Sequence, residues 1–362
     1  MTVGFGRKLA LGLLALALGG LGSAQAAVPD GTPLLIYLPP EVLPRGEGAN
    51  GFVTVGGLYS GGAFHWMPTS GVTGIGGRQA VAVGANGRVI VGNALDPRGF
   101  EQAAIWQGGS SWRLLGSVGA QRPCDLLVSA TFGASADASV VVGLAWDGCS
   151  YARAFRWEEQ TGMVDLGSLT GRSTRANGVS GDGRVVIGWD TAATGFRQGA
   201  KWVDGREEIL AGPAGFVGEA FGANRDGSII VGTNCNPNDV TPTGWTWTAS
   251  GGFTCSTVRL PAWARPVPFY QVLMEAVSDD GRVIGGSLSF GLDAESVVWF
   301  DGQPSLLRDY LRDHGVPDAF EGWVNTGFVT DVSADGRTLV GYGAGPTTFQ
   351  GFVVILPELG DD

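Results

Sequence analysis

Charge is scarce in this chain of 362 residues: only 16% of positions are Asp, Glu, Lys or Arg, and only two are histidine. What charge there is leans acidic, with 23 basic against 34 acidic residues. Nucleic acid and anionic membrane surfaces would repel such a surface. Two histidines leave little to support a zinc site, and there is no Gly-x-Ser-x-Gly elbow to carry a serine nucleophile. Long apolar runs are missing too, apart from one at the start.

That run reads as an export signal. "MTVGFGRKLALGLLALALGGLGSAQA" has Arg7 and Lys8, then an apolar stretch too short and too glycine-interrupted for a good anchor, then Ala24-Gln25-Ala26. Cleavage is expected after Ala26, leaving residues 27–362 as one soluble domain, secreted or periplasmic, without a transmembrane segment. The mature chain keeps 21 basic and 34 acidic residues, a formal charge of −13. The four cysteines contain no Cys-x-x-Cys spacing. In an exported chain they read as two disulfides, most simply Cys124–Cys149 and Cys235–Cys255, with a zinc site the weaker alternative.

Glycine is abundant instead, at 62 residues, and much of it falls in a repeated phrase. Aligned on the last glycine, the copies are "GANGFVTVG" (48–56), "GANGRVIVG" (84–92), "SADASVVVG" (135–143), "SGDGRVVIG" (180–188), "NRDGSIIVG" (224–232), "SDDGRVIGG" (278–286) and "SADGRTLVG" (333–341). The third position is Asn or Asp in every copy, and Gly follows it in all but one, where Ala138 stands. Asx-Gly followed by a β-branched run is a hairpin turn entering a buried strand, and the closing glycine is expected to let the chain leave the sheet.

A second strand follows each copy and ends in Trp in six of seven: Trp66, Trp106, Trp157, Trp202, Trp247 and Trp299, with Val354 in the last. This column is expected in the core between units. Further strands such as "MVDLGSL" bring each unit to four. Four strands per unit predicts an all-β, seven-bladed propeller. The last unit lacks a fourth strand, and "PLLIYLP" (33–39) is a spare one that would close the ring. A six-bladed ring with the first phrase as decoration is the alternative. The one helical stretch, "PSLLRDYLRDHG", is expected to be capped by Ser305 and stopped by Gly315, with His314 near its end.

The set "ANGVSGDGRVVIG" (176–188), "ARAFRWEEQTGMVDLGSL" (152–169) and "GWVNTGFVTDVSADGRTLVGYG" (322–343) resembles the HAF-repeat family of extracellular bacterial proteins. The resemblance spans nearly the whole mature chain and implies an exported repeat protein without an activity to carry over. Ala138, Val354 and the first unit depart from its pattern.

Function is expected on the face opposite the Asx turns, where the connections vary. Four aromatic residues just after the phrase, Tyr59, Trp146, Trp189 and Tyr342, are candidates for stacking a glycan or receiving a protein partner; each could equally cover its own blade edge. From the second unit on, residues five before each phrase (Gln79, Ala130, Arg175, Glu219, Leu273, Phe328), the outer set, and those two positions further in (Val81, Phe132, Asn177, Phe221, Glu275, Thr330), the inner set, should lie near the mouth of the central channel. Only Glu219 and Glu275 among them are acidic, a sparse set for acid–base catalysis. Three classes therefore stand: a non-catalytic binding module, a hydrolase or lyase at the channel mouth, and a structural surface repeat. No metal or other cofactor is expected, since one turn Asp per blade is spread around the rim, and the protein is expected to be a monomer.

Overall fold

A computed structural model describes residues 31–48, 51–119, 127–148, 150–212, 215–235, 243–263, 270–290 and 293–358. Residues 1–26, read from sequence as an export signal, turn residue Asn50, and Cys124 with Cys149 lie outside the described residues.

Seven antiparallel four-stranded sheets form a seven-bladed β-propeller. Six blades are continuous in sequence. The seventh is built from Asn325–Val332, Thr338–Ala344 and Phe349–Ile355, with the N-terminal strand Leu34–Pro40 as its outer edge. Leu34 pairs with Ile355 and Tyr37 with Phe352. The chain then passes directly into Val42–Glu47, the inner strand of blade 1. A small hairpin, Ala211–Gly212 with Gly215–Phe216, sits between blades 4 and 5.

The repeated phrase makes the a–b connection of each blade. In the fourth, Asp182 Oδ1 accepts the Arg184 N–H at 3.0 Å, and Ser180 Oγ donates to Asp182 and accepts the Val185 N–H. Asp137, Asp280 and Asp335 repeat this arrangement with Ser135, Ser278 and Ser333. The Asp therefore works through its side chain, as an Asx turn, while the next residue takes the left-handed backbone. That residue is Gly183 (φ 77°), and Ala138 adopts the same region (φ 56°) where glycine is missing.

The closing glycine has a different job from the one expected. It lies within the second strand rather than at its exit. Each inner strand carries a β-bulge, and the closing glycine pairs with the residue just before it: Ala176 with Gly188, Met274 with Gly286, Val329 with Gly341. A Cβ on Gly188 would collide with the Arg175 carbonyl oxygen, and the other six closing glycines meet the same obstacle. The bulge brings the backbones together, and only glycine fits.

The tryptophan column behaves as expected. Trp66, Trp157, Trp202 and Trp299 are buried and Trp106 and Trp247 partly so, packed between blades. The single helix, Leu307–Asp313, is not capped by Ser305, which belongs to the preceding strand Gln303–Leu306; Leu306 holds the N-cap without a side-chain bond. The helix and the loop after it drive Leu307, Leu311, Phe320 and Trp323 into the core of blade 7. Tyr37 of the closing strand accepts the Phe320 N–H at 2.7 Å. The insertion thus clamps the closure from outside. Cys235 and Cys255 form the expected disulfide within blade 5.

Candidate functional site

The bulges build the channel. A bulged residue has no partner across its ladder, and in all seven blades that residue turns toward the axis: Arg45, Val81, Phe132, Asn177, Phe221, Glu275 and Thr330. They line a cavity of about 940 Å³. Six of these seven are the inner set expected from the spacing. Of the outer set, Gln79, Ala130 and Arg175 line the channel, whereas Leu273 and Phe328 do not, and Glu219 reaches the wall through Arg175.

Opposite arcs of the wall differ in charge. On blades 4 and 5, Arg175 donates to Asn177 Oδ1 at 2.6 Å and to Glu219 at 2.9 Å, and Arg197 donates to the other Glu219 oxygen at 2.7 Å. Phe132 lies 4.6 Å from the Arg175 guanidinium. On blades 6, 7 and 1 the wall carries Glu275, Asp331 and Glu47, with Arg45 as the guanidinium among them. Asp331 stands where the other inner strands place Gly or Ala after the bulge, and its carboxylate accepts the Glu47 N–H at 3.0 Å. Burial pushes Glu275 up to about 7, against the pull of Arg45. Burial pushes Asp331 up to about 6, and burial together with Asp331 raises Glu47 well above the usual carboxylate range.

Glu219 and Glu275, the two carboxylates singled out from sequence, thus differ in setting. One is held by two guanidinium groups; the other faces open space. Arg45, Glu47 and Asp331 were missed. The signal for them was present in the first and last phrases, since Arg45 occupies the bulge position of "LPRGEGANG" and Asp331 replaces the small residue after a bulge.

The four candidate aromatics do not form one patch; none of these rings contacts another of the set. Tyr59 is 61% exposed and lies against Phe349. Tyr342 is half-buried between Phe328 and Arg45. Trp146 is half-buried, and its ring nitrogen has no hydrogen-bond partner. Trp189 is 5% exposed, with the Arg197 and Arg175 guanidinium groups 4.5 and 5.5 Å from its ring centre. The histidines stand apart from the channel: His65 abuts Trp106 of the next blade, and His314 stacks on Tyr310.

Exposed apolar side chains concentrate on the varied face. Tyr59, Leu95, Tyr151, Phe196 and Phe349 lie on or beside its b–c loops, and Leu169, Trp263 and Val324 on connections entering the next blade. Among the described residues the others of this kind are Leu34 and Val203 at the edge of the turn face, Tyr37 and Val164 on outer strands, and Phe132 in the channel.

A carboxyl pair, one member buried and the other half-buried, anchors one of these loops. Asp190, fully buried, accepts hydrogen bonds from Ser168 and Thr170, and Glu207 accepts the Leu169 N–H at 2.7 Å. Burial, with Asp190 beside it, pushes Glu207 up to about 8. With Asp331 and Glu275 also raised, these three groups hold more protons in the folded protein than in the unfolded chain between about pH 5 and pH 8. Stability is therefore expected to fall as pH rises through that window. Glu207→Gln keeps a donor toward Asp190 and an acceptor for Leu169. It should flatten the profile and unfold at least about 1 kcal/mol later than the parent at pH 9, measured by urea titration at pH 5, 7 and 9. An unchanged slope would contradict the pairing.

No family model and no curated protein matches the chain. Solved structures match as folds. An oligogalacturonate lyase from Vibrio parahaemolyticus aligns at 8% identity and TM-score 0.54, over 90% of this chain and 98% of that one. An oligogalacturonate lyase in complex with manganese aligns at 11% identity and TM-score 0.54, over 90% and 97%. The propeller domain of the Trilobed protease from Pyrococcus furiosus aligns at 11% and TM-score 0.53, over 88% and 96%. That domain has an open velcro topology, whereas here Leu34–Pro40 closes the ring. At these identities the likeness shows the propeller fold alone. Among the described residues no helix is long and apolar enough to cross a membrane, and no three His, Cys, Asp or Glu side chains gather as a metal would need.

Proposed function

We propose that the protein is an exported, non-catalytic binding module of the HAF-repeat kind, taking a protein or glycan ligand on its varied face over the channel mouth. The observation that carries this reading is the crown of exposed apolar and aromatic side chains on that face, against a turn face nearly bare of them. Such concentrations mark interaction sites on soluble proteins, and aromatic anchors dominate the energetics of binding. Replacing Tyr59, Phe196 and Trp263 together by Ser removes three anchors that are 61, 70 and 55% exposed. Retention on a glycan array or an envelope fraction should fall at least about tenfold, with the melting temperature within a few degrees of the parent. Undiminished retention would contradict the placement.

A second reading has one specific support. Glu275 lies in the open channel with its protonation range near neutrality, one blade from the arginine-held Glu219, and carboxyls in contrasting settings suit acid–base chemistry. Turnover of uronate-containing or neutral oligosaccharides that is lost in Glu275→Gln would favour a lyase or hydrolase.

A further inference from the structure

The charges on the channel wall do not balance. Arg175 is committed to Asn177 and Glu219, Glu101 lies 3.8 Å from Arg78, and Asp279 lies 3.8 Å from Arg225. What remains is Glu275, Glu47 and Asp331 on three consecutive blades, and one guanidinium, Arg45, which acts on Glu275 and lies 5.4 Å from the Tyr342 ring centre. Asp331 is partly satisfied by the Glu47 and Val332 N–H groups, and Glu47 by that of Gly51. Glu275 accepts no hydrogen bond from any other described residue. Its bulge aims it into the cavity, and the same ring carries two phenyl rings, Phe132 and Phe221, and Val81.

Three carboxyls against one cation, in a space large enough for a guest, make a receptor short of positive charge. A bare divalent ion would need six or more oxygens together, and no such gathering is present among the described residues. A charge carried on an organic chain tolerates separated partners and uses the apolar wall as well. We propose that the channel binds an organic cation, a primary amine or guanidinium, with Glu275 as its anchor, the Glu47–Asp331 pair as the second acidic contact, and Phe132 and Phe221 as the apolar wall. This rests on the binding-module reading and names the chemistry of one contact within it. The cation could belong to a free polyamine or to a Lys or Arg side chain of a partner docked on the loop face; the chemistry is shared.

Proton linkage follows with a definite sign. Partly desolvated by the wall and short of cations, the carboxyls hold protons up to about pH 6 at Asp331 and about pH 7 at Glu275. The ionised forms bind a cation, so affinity should rise with pH through that range and binding at pH 6.5 should release protons. The other charged side chains lining the channel are Arg45, Arg175, Arg225, Glu101 and Asp279, with Glu219 behind Arg175, and no histidine or lysine is among the lining residues.

The test is calorimetric titration of the mature protein with spermidine and, separately, with the peptide Gly-Arg-Gly, at pH 5.5 and 8.0. At pH 6.5 each titration is run in two buffers of different ionisation enthalpy. At least one probe should bind, at least about tenfold more tightly at pH 8.0, with proton release at pH 6.5. Glu275→Gln should weaken it about tenfold or more without lowering the melting temperature, and Glu159→Gln, remote from the channel, should leave it unchanged. Spermidine alone binding identifies a free amine as the source; the peptide alone identifies a side chain. No binding by either probe, equal binding by Glu275→Gln, or displacement of the probe by micromolar Mn²⁺ overturns the inference. If the crown variant still loses retention on the array, the channel inference fails alone and the loop-face reading stands.

Discussion

A mature chain lacking residues 27–40 is expected to show no cooperative melting transition at the parent's temperature, and to aggregate. The strand removed is the outer strand of blade 7, but its contacts reach further than one sheet. Leu38, 1% exposed, packs with Val340 and Val353 of blade 7 and with Phe64 and Trp66 of blade 1. Gln350 donates to the Leu38 carbonyl at 2.6 Å, and Tyr37 ties down Phe320 and Trp323. Deletion would expose Phe349–Ile355 as an unprotected edge and uncover the seam between the first and last blades. Full burial of a leucine-sized side chain contributes about 1.5–3 kcal/mol, and native proteins hold only about 5–15 kcal/mol in total. Losing Leu38, the half-buried Leu35 and Ile36, and the pairing of the whole edge strand is enough to unfold the ring. Scanning calorimetry checks this. An unchanged midpoint would mean that the ring closes elsewhere.

The second large effect falls on Trp189. Replacement by Ala should destabilise by about 3–5 kcal/mol, the usual cost of emptying a buried tryptophan site. The indole is 5% exposed and lies beside Arg175 and Arg197, the two guanidinium groups that hold Glu219. Its loss therefore loosens the whole Arg175–Asn177–Glu219 wall. Tyr59→Ala, at an open position, should stay within about 0.5 kcal/mol. Urea unfolding of both variants makes the comparison. A Trp189 variant as stable as the Tyr59 one would show that the ring is free to serve as a ligand surface.

The architecture was legible because the same local problem recurs in every blade. Each turn needs an Asx side chain and a left-handed residue after it, and each bulge needs a glycine opposite, so the phrase survives repetition. Counting from it located Val81, Phe132, Asn177, Phe221, Glu275 and Thr330 on the channel wall. Three things escaped that reading for physical reasons. The closing glycine answers to a neighbouring strand's carbonyl, a contact that no one-strand pattern reveals. Glu219 is paired with Arg175, 44 residues away in sequence and on another blade, so nothing local distinguished it from a free carboxylate. Trp189 and Tyr59 both follow the phrase closely, yet one is buried and the other open. Trp189 comes one residue after its closing glycine, inside the strand Val185–Thr191 and beside two arginines, whereas Tyr59 comes three residues after its own, beyond the end of the strand Thr54–Leu58.

The central claim is that the varied face, over the channel, is where this protein meets its ligand. Hydroxyl-radical footprinting of the mature protein, alone and with a retained glycan or envelope component, tests it directly. The account predicts protection at Tyr59, Phe196, Trp263 and Phe349, with the turns at residues 180–185 and 278–283 reacting as in the free protein. Protection confined to those turns, or to the outer strands, would contradict it.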